Sequence, residues 1–430
     1  NVYRYTMSTN YQTNKLHMKK YYCWVVLGSL FLMYMASNGI ALNTFNLYIP
    51  EFARSFDVDI SRATGLAATL YLVLALPLPF VGRLLERFPA KSLILTGAVG
   101  ATGALFLFAT AESFGAVRLF TVLYPVCLSL VGLLTSMYVI NNWFVRHRGL
   151  ATGILLMASS VGPAVFAPLV GRWIKELGWE TAALYQACIC SAMILIPALL
   201  VVSHPSKVGA YADGVEGTVG RQPETDPMER SRIFRGAIRS VDFYLLAFVT
   251  AALWFCIGGF IQNQRNYQAD LKLDVAQSGL LQGLFFLCGL LGKLLFGWLG
   301  DRFDVRRIML LSVLNMVAGC ALLYMSLDDP RFMAPCAVVF GIGYSGTFTM
   351  IQLYIISLFG GASYGTILGI LSFIDTIAAS MGVAVLGGMR KSEGSYHGAF
   401  WLMIALAVVS LAATYYINLR AARGRPVPAG

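Results

Sequence analysis

The chain has 430 residues, of which 57% are hydrophobic and 12% charged, roughly half the charged share of an ordinary soluble protein. No water-soluble domain of this length hides so much apolar surface, so lipid is the solvent for most of the chain, and a soluble enzyme, a nucleic-acid reader and a disulfide-stapled secreted domain are excluded. The net charge of +11 is explained by where the charges fall.

In chain order, a polar stretch of residues 1–21 comes first, read as a cytoplasmic tail. Lys19 and Lys20 stand just ahead of an apolar run too long for a signal-peptide core, so no cleavable leader is expected, and Met7 or Met18 is the expected start. Twelve apolar runs follow: 22–47, 63–81, 92–110, 117–140, 149–170, 181–202, 241–261, 278–299, 308–325, 332–357, 365–388 and 396–417. Each is close to the ~20 residues that a bilayer-crossing helix needs. The first six fall in a half spanning 22–203 and the last six in a half spanning 241–417. Between them, 204–240 is polar, rich in Gly, Pro, Glu and Arg, without apolar periodicity, and reads as a cytoplasmic linker. Residues 418–430 form a second cytoplasmic tail. With both termini inside, the inner segments hold 21 of the 32 Lys and Arg residues and the outer loops hold 10. The positive-inside rule therefore places the termini in the cytoplasm, and the basic balance is topology rather than affinity for nucleic acid.

Two inner segments repeat. Gly82-Arg83-Leu84-Leu85-Glu86-Arg87-Phe88 follows the second run and Gly297-Trp298-Leu299-Gly300-Asp301-Arg302-Phe303 follows the eighth. Both read G-x-L-x-[DE]-R-F, half a chain apart, as in transporters built from parallel repeats. An acidic residue at a helix end (Glu86, Asp301), beside Arg from the same loop (Arg87, Arg302), can make charge-assisted bonds to a neighbouring helix terminus. Such bonds would hold the inner side shut and break as the two halves rock.

These loops resemble the cytoplasmic motif of the major facilitator superfamily, with Pro89 and Ala90 departing from it in the first copy. The resemblance implies an all-α membrane protein of twelve transmembrane helices in two pseudo-symmetric six-helix bundles around one central cavity. The run from Trp143 to Gly153, containing Arg146 and Arg148, resembles the entrance to the fifth helix in monocarboxylate transporters and oxalate/formate exchangers. Leu358-Phe359-Gly360, followed by Tyr364 to Gly369, resembles their entrance to helix eleven. Arg146 and Arg148 join Gly82, Glu86, Arg87, Gly297, Asp301 and Arg302 as expected gating residues. The opening Tyr21-Tyr22-Cys23-Trp24 lacks the acidic-Gly start of the animal carriers, and Gly162-Pro163 lacks the flanking glycines of the drug-antiporter motif.

Two charges belong to no loop: Lys293 and Asp375. Either costs about 2.5–3.5 kcal/mol at mid-membrane on insertion scales, so each is a candidate site. Lys293 lies eight residues before Asp301 and Asp375 ten after Gly365, which places them about 12 and 15 Å from the inner side at 1.5 Å per residue. The resemblance implies that helices eight and eleven both line the cavity, so the two are expected to pair. It also implies that a basic residue four positions ahead of the loop motif binds the substrate carboxylate. Lys293 holds that place, as a point charge rather than the bidentate fork of Arg. Asp375 stands where the oxalate carrier has a second cation, which argues against a dicarboxylate.

On this reading protonation of Asp375 frees Lys293 for a small organic monoanion, giving electroneutral proton symport by alternating access. Tyr34, Asn38, Tyr124 and Tyr344 are further substrate-binding candidates through their hydroxyl or amide groups, and Trp254 is an apolar wall. The alternatives are a carrier of a neutral or cationic solute, drug efflux included, with Lys293–Asp375 as a structural pair, or a non-transporting membrane sensor. No nucleophile–base pair, metal cluster or phosphate-binding G-x-x-x-x-G-K-[ST] loop is present at membrane depth, so neither enzyme activity, a metal nor a cofactor is expected. The expected partners are the anion, the proton and the bilayer. The chain reads as a monomer, and the absence of N-x-[ST] sequons suits a bacterial inner membrane.

Overall fold

The computed structural model describes residues 21–215, 227–273, 275–360 and 363–422. Most of the two expected tails, and 216–226 of the expected linker, lie outside the described residues.

Backbone groups in lipid must find partners within the chain, and helices provide them all. Among the described residues twelve helices are long and apolar enough to cross a membrane: α1 Tyr21–Leu47, α2 Gly65–Arg87, α3 Ala90–Ala109, α4 Phe114–Trp143, α5 Arg148–Leu177, α6 Trp179–Leu200, α7 Val241–Gln264, α8 Leu280–Arg302, α9 Val305–Met325, α10 Pro330–Phe359, α11 Tyr364–Glu393 and α12 His397–Ala422. Several outrun the apolar segments that signal them. The segments Gly82–Arg87 and Gly297–Arg302, read from sequence as loops, are the last turns of α2 and α8. α2 is broken by a turn at Leu76-Pro77, but Leu, Glu and Arg are good helix formers, so nothing stops its last segment, Leu78–Arg87, before Phe88. There the following Pro89 disfavours helical backbone and Phe88 turns extended. Asp304 ends the second copy by accepting the Arg306 N–H at the start of α9.

The helices form two bundles, α1–α6 and α7–α12, and small residues set the closest approaches within each. Gly39 of α1 lies against Ala158 and Gly162 of α5, and Gly258 and Gly259 of α7 lie against Ala379 and Gly382 of α11. Without a hydrophobic drive between helices in lipid, such close backbone packing is what holds them together. Between the bundles, α2 lies on α11 and α5 on α8.

α1 is irregular at mid-length. Met35–Leu42 is wound as a π-helix and Phe45–Leu47 as a 3-10 turn. Side chains sustain the distortion: Ser37 Oγ donates to the Met33 carbonyl at 2.7 Å and Thr44 Oγ to that of Ile40 at 2.9 Å. Wide turns of this kind gather at functional positions.

The segment between the bundles departs from expectation. It contains the helix Pro227–Arg239, with Glu229 in its first turn and Arg239 in its last, the polarity that a helix dipole favours. Phe234, Ala237 and Ile238 form a short apolar stripe at i, i+3 and i+4 that packs on the protein core, too short to stand out in a strongly charged stretch.

Candidate functional site

At one end of the molecule two equivalent contacts join the bundles, at the residues expected to gate. At the first, Gly82 of α2 meets the backbone of Gly365 at the start of α11, and Gly369, one turn on, meets the carbonyl of Leu78. At the second, Gly297 of α8 meets Gly149 at the start of α5, and Gly153, one turn on, meets the carbonyl of Lys293. A side chain at any of these glycines would collide with backbone, so the approach requires their absence.

Each contact carries a carboxylate at a helix N-terminus. Glu86 Oε1 accepts the Thr366 N–H at 2.7 Å. Asp301 accepts from Gly149 N at 2.6 Å with Oδ1 and from Leu150 N at 2.8 Å with Oδ2. The first N–H groups of a helix have no partner within it and carry the positive end of its dipole, so a carboxylate satisfies both demands.

The four arginines contribute differently from expectation. Arg87 and Arg302 are exposed, and the Arg302 guanidinium lies over its neighbour Trp298, 5.3 Å from the ring centre. Arg146 is exposed, and its backbone N–H donates to Asp213. Arg148 braces the end of α4, donating from Nε to the Phe144 carbonyl at 3.0 Å. The reason is electrostatic: a helix N-terminus attracts anions and repels cations.

Asp213, which sequence reasoning missed, brings a second carboxylate to the entrance of α5. Its buried carboxylate accepts N–H bonds from Val145, Arg146 and His147 at 3.0, 2.7 and 3.3 Å and pairs with His147 Nδ1 at 3.5 Å. It sits in a left-handed turn with φ of 55° before Gly214. The Asp-Gly dipeptide, which favours such turns, was the available signal.

Midway along α8, Lys293 is fully buried. Its ammonium donates to Ser159 Oγ at 3.0 Å and to Ser160 Oγ at 2.7 Å, both from α5 of the opposite bundle. It lies 5.6 Å from the ring centres of Tyr344 and Phe348 on α10, within cation–π range. Trp254 of α7 meets Phe348 edge-on at 4.9 Å, extending the aromatic wall.

The expected pair with Asp375 does not form: no carboxylate lies within ion-pair distance of Lys293 among the described residues. Asp375 is buried on α11 with Thr250 of α7 in hydrogen-bonding reach, and its Oδ1 has no partner among the described residues. The cause is helix pairing. One turn beyond Asp375, Ala379 packs on Gly258 of α7, so this face of α11 turns to α7, whereas Lys293 turns to α5 and α10.

Of the weaker candidates, Tyr34 immediately precedes the π-helical stretch of α1 and Asn38 lies within it. Tyr34 comes within electrostatic reach of Tyr344 from the other bundle, which brings Tyr34, Tyr344 and Lys293 to one locality. Tyr124 is completely buried in the first bundle and donates its hydroxyl to the Ser37 carbonyl at 2.7 Å, bracing the distorted α1. Ser159, Ser160 and Phe348 were missed. In an apolar run two serines carry no charge signal.

Residues 27–264 and 243–430 each match the profile of the Major Facilitator Superfamily. The uncharacterized MFS-type transporter YcxA of Bacillus subtilis (strain 168) is 23% identical over 407 residues, covering 92% of this chain and 94% of that protein. Monocarboxylate transporter 12 of Rattus norvegicus is 21% identical over 88% of this chain and 82% of its own length. Among solved structures, the transporter FucP in its outward conformation superposes with a TM-score of 0.71 at 14% identity, over 91% of this chain and 97% of that one. The chain belongs to the Major Facilitator Superfamily: it is an integral membrane protein with the alternating-access fold of a secondary transporter, not an enzyme.

Proposed function

We propose that this protein carries a small organic monoanion, a monocarboxylate, together with a proton, with Lys293 as the anion site and Asp375 as the proton site. One observation carries the reading: a fully buried ammonium is held by hydroxyls and aromatic faces, with no carboxylate in ion-pair distance among the described residues. A charge left at membrane depth without a counter-ion is costly, and such residues mark substrate and ion pathways. The absence of an ion pair removes the support for a structural Lys293–Asp375 pair, on which the neutral-solute alternative rested. Relatives named as monocarboxylate transporters agree with an anionic substrate.

The separation of the two charges changes the coupling scheme. Asp375 does not need to release Lys293. Each charge is buried alone, and each is neutralised by its own ligand, a carboxylate at Lys293 and a proton at Asp375. The fully loaded carrier then exposes no uncompensated charge as the bundles rock, which makes the loaded crossing the favoured one. Tyr34, Tyr344 and Asn38 orient the bound anion, and the Glu86 and Asp301 contacts govern access at the gating end. In this reading the carrier works as a monomer in a bacterial inner membrane, with the closed end toward the cytoplasm.

The test is pyruvate uptake into proteoliposomes under an imposed pH gradient. Asp375→Asn is expected to abolish gradient-driven accumulation while pyruvate–pyruvate exchange continues. Undiminished accumulation in that variant would remove Asp375 from the proton path.

A further inference from the structure

We propose that Ser159 and Ser160 are positioning residues that stand in for the substrate carboxylate in the empty carrier; this rests on the reading of Lys293 as the anion site. The two hydroxyl oxygens are adjacent in sequence and both accept from the same ammonium, at 3.0 and 2.7 Å. A carboxylate would offer Lys293 the same thing, two neighbouring oxygen acceptors. Ser159 is oriented for this part, because its own proton is donated to the Leu156 carbonyl at 2.8 Å and a lone pair is left for Lys293. The other residues from Leu155 to Gly162 have no hydroxyl, amide or charge, so these two are the only side chains of that stretch that can accept.

The bond crosses from one bundle to the other, at an interface that rocking must rearrange. A symporter has to return empty after releasing its cargo. An ammonium buried without any acceptor would oppose that step, since an unsatisfied buried charge costs far more than a satisfied one. The serine pair supplies the acceptors internally, so the empty carrier can close over Lys293. An arriving carboxylate displaces both hydroxyls and takes over the ammonium. Exchange, which cycles only through loaded forms, has no use for the stand-in. Net uptake requires it.

The experiment compares radiolabelled pyruvate net uptake with pyruvate–pyruvate exchange in proteoliposomes, for wild type, Lys293→Ala, Ser159→Ala/Ser160→Ala and Ser159→Thr/Ser160→Thr. In the double alanine variant net uptake is expected to fall about tenfold or more, the effect of losing a hydrogen bond to a charged group, while exchange keeps the wild-type rate. The threonine variant, which keeps both hydroxyls, is expected to restore net uptake. An equal fall in both rates for the alanine variant would show a merely structural role and overturn the proposal, as would unchanged net uptake. Lys293→Ala is expected to lose both activities. If it keeps them, or if wild type exchanges no pyruvate, the anion-site reading itself fails and takes this proposal with it.

Discussion

The end where the two bundles meet at paired glycines and the middle of this protein are built on opposite principles. At the paired glycines the two halves do the same thing twice. Gly82, Glu86 and Leu78 meet Gly365, Thr366 and Gly369 as Gly297, Asp301 and Lys293 meet Gly149, Leu150 and Gly153. In the middle the halves differ at the same equivalent positions. Where α8 has Lys293, α2 has Leu78, and where α11 has Asp375, ten residues after Gly365, α5 has Ser159, ten residues after Gly149. The contacts between the bundles, with the carboxylates of Glu86 and Asp301, are duplicated, whereas the charges midway along the helices, Lys293 and Asp375, are not. In the proposed reading the repeat governs access and its asymmetries supply the substrate chemistry.

That equivalence can be broken most severely by making the middle symmetric. Leu78→Lys places an ammonium where its backbone already meets Gly369, as the backbone of Lys293 meets Gly153. Lys293 reaches Ser159, six residues past Gly153, so the introduced ammonium is expected to reach Asp375, six past Gly369, and form an ion pair across the bundles. Proton-driven uptake is expected to vanish, because removing one partner of such a buried pair costs about 3–5 kcal/mol. Retained pH-gradient-driven uptake would contradict the mapping.

Breaking the gate has a smaller effect. Gly149→Val drives a side chain into the Gly297 carbonyl and the Asp301 carboxylate. Overpacking of about 1–3 kcal/mol is expected to cut the closed population about 5- to 150-fold, at about 1.4 kcal/mol per tenfold. Faster alkylation of Ala151→Cys in a cysteine-free background checks it. The smallest effect sharpens the comparison between the two gate contacts. Asp301 engages two N–H groups with its two oxygens and shares the entrance of α5 with Asp213, and Glu86 accepts the Thr366 N–H at the entrance of α11. Asp301→Asn and Glu86→Gln are each expected to loosen the contact about tenfold in the same alkylation assay, the effect of weakening a hydrogen bond to a charged group. Unchanged alkylation in either variant would remove that carboxylate from the closed contact.

Much of this architecture is legible in the chain because lipid imposes a strict rule. Every span must be apolar and helical, so the twelve helices stand out by composition and their positions follow within a few residues. Helix ends are less legible, since Gly82–Arg87 are polar yet stay helical until Phe88-Pro89. The depth of Lys293 and Asp375 could be counted along a helix, but the face each turns to could not. That face depends on which helices cross, and α8 crosses α5 while α11 crosses α2. Counting from the paired glycines would have put Ser159, rather than Asp375, beside Lys293. Ser160 and Asp213 have no comparable signal beyond an adjacent serine and an Asp-Gly turn. Their importance comes from tertiary contacts alone.

The most direct test of the account is a ligand panel on purified protein, wild type beside Lys293→Ala, read by thermal stabilisation. The panel holds lactate, pyruvate, formate, acetate, oxalate, a neutral sugar and a lipophilic cation. A ligand at about 100 times its dissociation constant stabilises the fold by about 2.7 kcal/mol, a readily measured shift. The account predicts that a monocarboxylate stabilises wild type and has no effect on Lys293→Ala. Stabilisation of both proteins by the sugar or the cation, with no response to any carboxylate, would contradict it.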